Sequence, residues 1–437
     1  MAEHHDHSDR TSAGVISRRN FIAGLSASVG LCSVGLSARA KLPKPKHSGV
    51  DHIVVFTMEN RSFDHFLGWL PGADGHQAGL TFSDAAGIAH STHALAPDFQ
   101  GCGHPDPDHS YQGGRVEYHS GVCDGWLRAG ANDDFAIGYY RQADLAFFGR
   151  SAPDWTACDR YFAAIMAETF PNRFYQHAAQ TDRIDNSAAL STLPTIWDRL
   201  AAAGVSATYY FSDIPFLALW GAKYLPISRP FASFLEACAA GTLPAVSFVD
   251  PRFVDEESGT SGDDHPHADI RNGEAFLNAV YTAVTTGPDW PKTMLIINYD
   301  EWGGFFEHVP PAPAPIPPAD LVAGNADGLR GFRVPCVIVS PFARRAFVSS
   351  TELDHTSILR FIEWRWDLDP LTIRDGSANN LADVLDFKSH DARAPQYAVP
   401  PGPFGAACGT PTTVAARSEI AAWESVRDLA QIFGWQV

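Results

Sequence analysis

Thr293 to Gly304 reads TMLIINYDEWGG. Six of the seven residues before Asp300 are apolar or β-favouring, which fits a strand buried on both faces. Two adjacent carboxylates, Asp300 and Glu301, follow with no intervening polar turn. His52 to Thr57 (HIVVFT) repeats the pattern and is followed within one short turn by Glu59-Asn60. Acidic residues closing a strand this apolar are costly beside a core unless positive charge faces them. In open α/β sheets, ligands gather beyond the carboxyl ends of the strands. Two such pairs therefore point to a shared cation. Every donor is an oxygen, so Ca²⁺, Mg²⁺ or Mn²⁺ suits the set at least as well as Zn²⁺.

Outward from these two segments, buried-type strands are expected at Ala207 to Phe211, Ala245 to Val249 and Val334 to Ser340. Helical patterns lie between or after them at Thr195 to Ala203, Ala275 to Thr285, Thr356 to Trp366 and Arg417 to Phe433. Alternation of this kind predicts an α/β fold with a mainly parallel central sheet and helices on both faces. Residues 71–150, rich in Gly, His, Asp and aromatics, break the rhythm and read as a loop-rich insertion or cap. With no internal repeat, residues 41–437 are expected to form a single domain. The 437 residues, 45% hydrophobic and 19% charged, are compatible with one large core.

The N-terminus carries a targeting pattern. Ser17-Arg18-Arg19-Asn20-Phe21-Ile22 is a twin-arginine motif, the run from Ala23 to Leu36 is small and apolar, and Ala38-Arg39-Ala40 supplies a cleavage site. Residues 1–40 are thus expected to be a Tat signal read by the twin-arginine export machinery. The mature chain is then periplasmic or secreted, with no stable membrane anchor. Six cysteines remain beyond Ala40 (Cys102, Cys123, Cys158, Cys238, Cys336 and Cys408), an even number in an oxidising compartment. Cys102 and Cys123 flank one loop-like stretch and are the first expected pair. The formal net charge of -18 argues against nucleic acid and against an anionic bilayer, but not against a phosphate ester held at a local cation.

Two further features carry chemistry. Thr169, in ETFPNRF (Glu168 to Phe174), precedes a proline that can open a helix, and a helix start favours a phosphoryl group. On local sequence alone its hydroxyl reads first as a helix cap, worth about 1 kcal/mol. Histidines then accumulate near loop carboxylates: His104, His109, His265, His267, His308 and His355. Imidazolium serves both a leaving group's proton demand and the charge of a transferring phosphoryl group.

The segment VDHIVVFTMENRSFDHFLG (Val50 to Gly68) resembles the opening signature of bacterial phosphoesterases. That family includes phosphatidylcholine-type phospholipase C and respiratory-burst-inhibiting acid phosphatase. The likeness continues in order through DPDHSY (Asp106 to Tyr111), CDRYF (Cys158 to Phe162), ETFPNRFY (Glu168 to Tyr175) and DDHPHADIRNGEAF (Asp263 to Phe276). NYDEWGGFFEHVPP (Asn298 to Pro311), RVPCVIVSPFAR (Arg333 to Arg344) and DHTSILRFIEWRW (Asp354 to Trp366) complete it. The resemblance implies an alkaline-phosphatase-like fold and a covalent phospho-enzyme. It places Glu59, Asn60, Asp300 and Glu301 on a divalent metal, with Thr169 as a further ligand and the nucleophile. His109, His265 and His355 would surround the phosphoryl group. Threonine at the nucleophile position resembles the phospholipase C branch, serine the acid phosphatase branch. Glu307-His308 departs from the commoner Asp-His. The implied substrate is a phospholipid or a small phosphate ester. A choline headgroup would call for aromatic contacts, for which Tyr111, Tyr118, Trp126, Tyr139 and Tyr140 are candidates beside ordinary packing roles. An acid phosphatase, and more remotely a non-catalytic metal- or phosphate-binding protein, are the alternatives.

Overall fold

Consecutive apolar residues on a strand point to opposite faces, so a run that is buried throughout must be covered on both sides. His52–Met58 is buried from Ile53 onward and Thr293–Tyr299 along its whole length. These two form the middle of an eight-stranded sheet. Its order is Phe347–Ser349, Thr156–Cys158, Cys336–Val339, Thr293–Tyr299, His52–Met58, Val246–Val249, Ala207–Phe211 and Ser228–Pro230. Among these strands Cys336–Val339 alone runs against the rest, pairing antiparallel with both its neighbours. The expected α/β class and mainly parallel sheet are present. The structure, a computed structural model, describes residues 42–254, 259–408 and 414–437, with no side chains described for 414–418. The twin-arginine motif and its cleavage site fall outside these residues. No helix among the described residues is long and apolar enough to cross a membrane.

Helix Ile270–Thr286 starts five residues before the expected Ala275, because Asp269 caps it and accepts from Arg271 N. Asn272-Gly273, poor helix formers, are tolerated there for packing: a Cβ on Gly273 would lie 1.8 Å from Asp264 Oδ1. Ile270, Gly273, Leu277, Val280 and Val284 then make its buried stripe. The short strands at 156–158, 228–230 and 347–349 were not expected, being too brief for a periodicity to show.

Residues 71–150 contribute no strand to the large sheet. They hold helix Tyr111–Tyr118, short 3-10 turns and two-stranded pairings such as Thr81–Ser83 with Ala89–Ser91. Phe82, Trp126, Leu127, Ile137 and Tyr139 from this stretch pack on Trp302 and Phe306, the loop that follows the Asp300-Glu301 pair. Trp126 and Tyr139 are therefore core. Tyr140 is buried as well, its hydroxyl donating to the Asp98 carbonyl. The expected Cys102–Cys123 bridge is corrected. Cys102 is bonded to Cys408, 306 residues away in sequence, and Cys123 is a free thiol buried in the Trp126 cluster.

Candidate active site

The two central strands run parallel with Met58 opposite Tyr299, so Glu59-Asn60 and Asp300-Glu301 leave the sheet at one edge and one level. All four side chains are fully buried. Asp300 N donates to the Met58 carbonyl at 3.1 Å. Asp300 Oδ1 in turn accepts from Asn60 N (3.2 Å) and Glu301 N (2.7 Å). Asn60 adopts φ 62°, a left-handed conformation that asparagine tolerates better than most residues. Gly303 explains the glycine pair: a Cβ there would meet the Asn60 carbonyl oxygen at 2.1 Å.

Thr169 reaches the same edge from another direction. Glu168 is the cap residue of helix Thr169–Ala178 and Thr169 is its first residue, so the cap role expected from local sequence falls elsewhere. The Thr169 hydroxyl is buried, 3.2 Å from Asn60 Oδ1 and 3.3 Å from Glu419 Oε1. One turn on, Arg173 lies on the same helix face. Its Nε donates to Asp300 Oδ2 at 2.9 Å and its Nη1 to Asp250 Oδ1 at 3.1 Å.

Two of the three expected catalytic histidines converge here. His109 donates from Nδ1 to the Pro107 carbonyl (2.8 Å), leaving Nε2 at 3.3 Å from Glu419 Oε2 and 3.9 Å from Glu301 Oε1. His265 Nε2 lies 3.2 Å from Glu419 Oε2 and 3.7 Å from Asp106 Oδ2. Burial alone would lower both imidazole pKa values. Glu301 and Glu419 instead raise His109 well above its usual range, and Asp106 and Glu419 raise His265 to about 9. The neighbouring carboxylates thus favour the protonated form of both rings. His355 is placed differently. Its Nε2 contacts the Asp300 carbonyl at 2.6 Å and its Nδ1 the Tyr161 hydroxyl at 2.9 Å, so both ring nitrogens are engaged away from Thr169. Burial lowers its pKa to about 4, and a neutral ring so held braces the Asp300 backbone. His104, His267 and His308 are spoken for by Asp133, the His104 carbonyl and Asp64 respectively.

Residues that fit a cation are identified by what they lack. Neither carboxylate oxygen of Glu59, nor Glu301 Oε1, meets a hydrogen-bond donor among the described residues, although all are buried. Burial holds the pKa of both carboxyls well above the usual range. Among the described residues, the positive groups facing Glu59, Asp106, Asp263, Asp300, Glu301 and Glu419 include Arg173, Arg61 and the rings of His109 and His265. A hard divalent ion fits this donor chemistry and would supply the missing charge. Asp106, His109 and Glu419 also bring ligand atoms within 4.8 Å of one another. A further cluster, Asp64, Glu307 and His308, is by contrast closed by protein donors. Arg333 Nη2 serves Glu307 Oε1 (2.6 Å), while the backbone N–H groups of His76 and His308 serve Asp64.

Sequence reasoning missed Arg173, Asp250 and Glu419. Arg173 had a signal, the four-residue spacing from Thr169 that sets two side chains on one helix face. Glu419 had none, since one acid in the amphipathic helix Val414–Ile432 reads as solvated surface.

Residues 50–369 match the Phosphoesterase family. Similar proteins include Non-specific phospholipase C6 of Arabidopsis thaliana, 29% identical over 379 residues that cover 77% of this chain and 72% of that protein. Phospholipase C A of Mycobacterium tuberculosis is 29% identical over 422 residues, and Phospholipase C B of the same organism 30% over 427. Each of these two alignments covers 79% of both chains. Among solved structures, a protein in the alkaline phosphatase superfamily from Vibrio parahaemolyticus aligns over 88% of this chain and 87% of its own, at 9% identity and a TM-score of 0.35.

Proposed function

The chain belongs to the phosphoesterase family and is a phosphoric ester hydrolase, and within that class we propose a metal-dependent phospholipase C-type phosphodiesterase that works through a covalent phosphothreonine. The observation that carries this reading is the Thr169 hydroxyl, buried between the Asn60 amide oxygen and a carboxylate shared by two imidazole rings. Glu59, Asn60, Asp300, Glu301 and the Thr169 hydroxyl would hold the ion. When bound, it lowers the pKa of the hydroxyl and offsets phosphoryl charge. Thr169 Oγ, its proton released to solvent, forms a bond to phosphorus as the bond from phosphorus to the ester oxygen breaks. His109 or His265, in its imidazolium form, gives its proton to the departing alkoxide. The ring left neutral then takes a proton from water, which attacks the phosphothreonine, and the departing Thr169 oxygen regains a proton from solvent. Arg173 and His355 hold Asp300 in place throughout.

With a phosphatidylcholine substrate the first step releases diacylglycerol and the second phosphocholine. Three features favour the lipid. The similar proteins are phospholipases C by name, the nucleophile is threonine rather than serine, and the net charge of -18 disfavours anionic surfaces more than zwitterionic ones. Export through the twin-arginine machinery to the periplasm or beyond is part of the same reading and rests on Arg18-Arg19 and Ala38-Arg39-Ala40. A hydrolysis panel of phosphatidylcholine, phosphatidylethanolamine, sphingomyelin and simple phosphomonoesters tests the substrate. The highest kcat/KM is expected on choline lipids. A higher value on monoesters assigns the chain to the acid phosphatase branch.

A further inference from the structure

Glu419 sits where a substrate should. One carboxylate oxygen faces the Thr169 hydroxyl at 3.3 Å and the Asn186 amide nitrogen at 3.2 Å. The other faces His265 Nε2 at 3.2 Å and His109 Nε2 at 3.3 Å. These four groups come from four separate stretches of chain and converge on this one carboxylate. Asn186 is held in the orientation this contact needs. Its Oδ1 accepts from Phe170 N at 2.8 Å, which turns its amide N–H₂ toward the anion. A group that touches the nucleophile and both histidine rings at once occupies the volume a transferring phosphoryl group needs.

The carboxylate joins a site already lined by the carboxyl groups of Glu59, Asp106, Asp263, Asp300 and Glu301, and it is the one that both imidazole rings face. A sixth carboxylate reads as an anion filling an anion's place. It is delivered by helix Val414–Ile432, whose hold on the body lies further along. Trp423 stacks on Phe253 with ring centroids 4.1 Å apart and packs edge-on to Phe170, and Val426 and Ala430 are buried. The Cys102–Cys408 disulfide tethers the chain just ahead of this helix.

We propose that Glu419 is an internal stand-in for the phosphoryl group. Thr169, Asn186, His109 and His265 then form the phosphoryl-oxygen site, and the helix must draw Glu419 out before an ester or free phosphate can enter. The proposal rests on the Thr169 reading above. It adds Asn186 to the groups that contact substrate and makes the helix a competitor for it.

The full-length, metal-loaded protein and its Glu419→Gln and Glu419→Ala variants provide the test, with inorganic phosphate as the probe. Where a site is free only a fraction of the time, apparent affinity is reduced by that fraction. Removing the carboxylate should therefore tighten phosphate binding and lower KM by roughly tenfold or more. In the unaltered protein, saturating phosphate should raise hydrogen exchange at backbone amides of residues 419–426, a readout that needs no variant to fold. Asn186→Ala should weaken phosphate binding in the Glu419→Gln background. Unchanged phosphate affinity and unchanged exchange would overturn the proposal. So would a folded Glu419→Gln enzyme that loses its metal or its turnover, which would make Glu419 a ligand or a catalytic group. If instead Thr169→Ala still hydrolyses esters at the normal rate, the nucleophile reading fails first and takes this inference with it.

Discussion

Replacing Asp300 by Asn changes one atom of a side chain whose two oxygens have opposite jobs. Oδ1 accepts from the backbone N–H groups of Asn60 and Glu301, and Oδ2 accepts from Arg173 Nε. An amide offers one acceptor and one N–H₂ group. In either orientation the N–H₂ group faces a donor: two backbone N–H groups, or a guanidinium. The ion pair with Arg173 is lost as well, in a place where both partners are at most 1% exposed. Breaking a buried pair from one side costs about 3–5 kcal/mol. For roughly 400 folded residues the unfolding entropy is about 0.8 kcal/mol per kelvin, so the midpoint should fall by about 5 °C. The assay is thermal and urea unfolding of chelator-stripped wild-type and Asp300→Asn protein, which separates the hydrogen-bond loss from any metal effect. Metal content after reloading is then measured by elemental analysis, and it should drop together with activity. A stripped variant within about 1 kcal/mol of wild type, or one that keeps full metal and full activity, refutes the reasoning that makes Asp300 the joint between Arg173 and the cation.

Glu59→Gln should act in the opposite direction on stability. Burial holds the Glu59 carboxyl well above its ordinary value of 4.5, so the stripped native state keeps a proton that the unfolded chain gives up. Stability of the stripped protein therefore falls as pH rises above that value. The Gln variant should lose part of that slope, up to about 1.4 kcal/mol per pH unit, while binding metal more weakly. Asp354 has the reverse sign. Despite its burial, Arg374 and Arg330 hold its carboxyl far below the usual range, so its contribution is present above the unfolded carboxylate range near about pH 4 and is lost progressively as pH falls from there through its much lower folded value. Asp354→Asn, which keeps a capping oxygen for helix His355–Trp366 but loses both arginine pairs, should cost about 3–5 kcal/mol at neutral pH and less in strong acid, read by urea unfolding. Replacing Arg18 and Arg19 by Lys should leave the precursor in the cytoplasm, as followed by fractionation, because the export pathway reads paired guanidinium groups.

The sheet was legible because its central strands are long and continuously apolar. The acidic pairs were legible because charge placed directly after such strands must be neutralised by something nearby. What stayed hidden depended on contacts distant in sequence. Cys408 meets Cys102 across 306 residues, and nothing near Cys102 distinguishes that partner from Cys123. His355 was expected at the phosphoryl group from its motif, yet the Tyr161 hydroxyl and the Asp300 carbonyl take both its nitrogens. Thr169 could be placed at a helix start from Pro171. Its rank as the first residue rather than the cap follows from Glu168 taking the cap position, which local propensity does not decide. Glu419 lies beyond the stretch that matches the family, on a helix whose pattern gives no hint that one acid turns inward.

The covalent role of Thr169 is the claim on which the rest depends, and acid quenching tests it most directly. Enzyme mixed with a radiolabelled phosphodiester and quenched in acid within the first turnovers should carry label on the peptide containing Thr169. Thr169→Ser should keep a labelled intermediate, and Thr169→Ala should be folded, metal-loaded, unlabelled and slower by several orders of magnitude. Turnover at a normal rate with no label on that peptide, or a Thr169→Ala enzyme that works like wild type, would contradict the account.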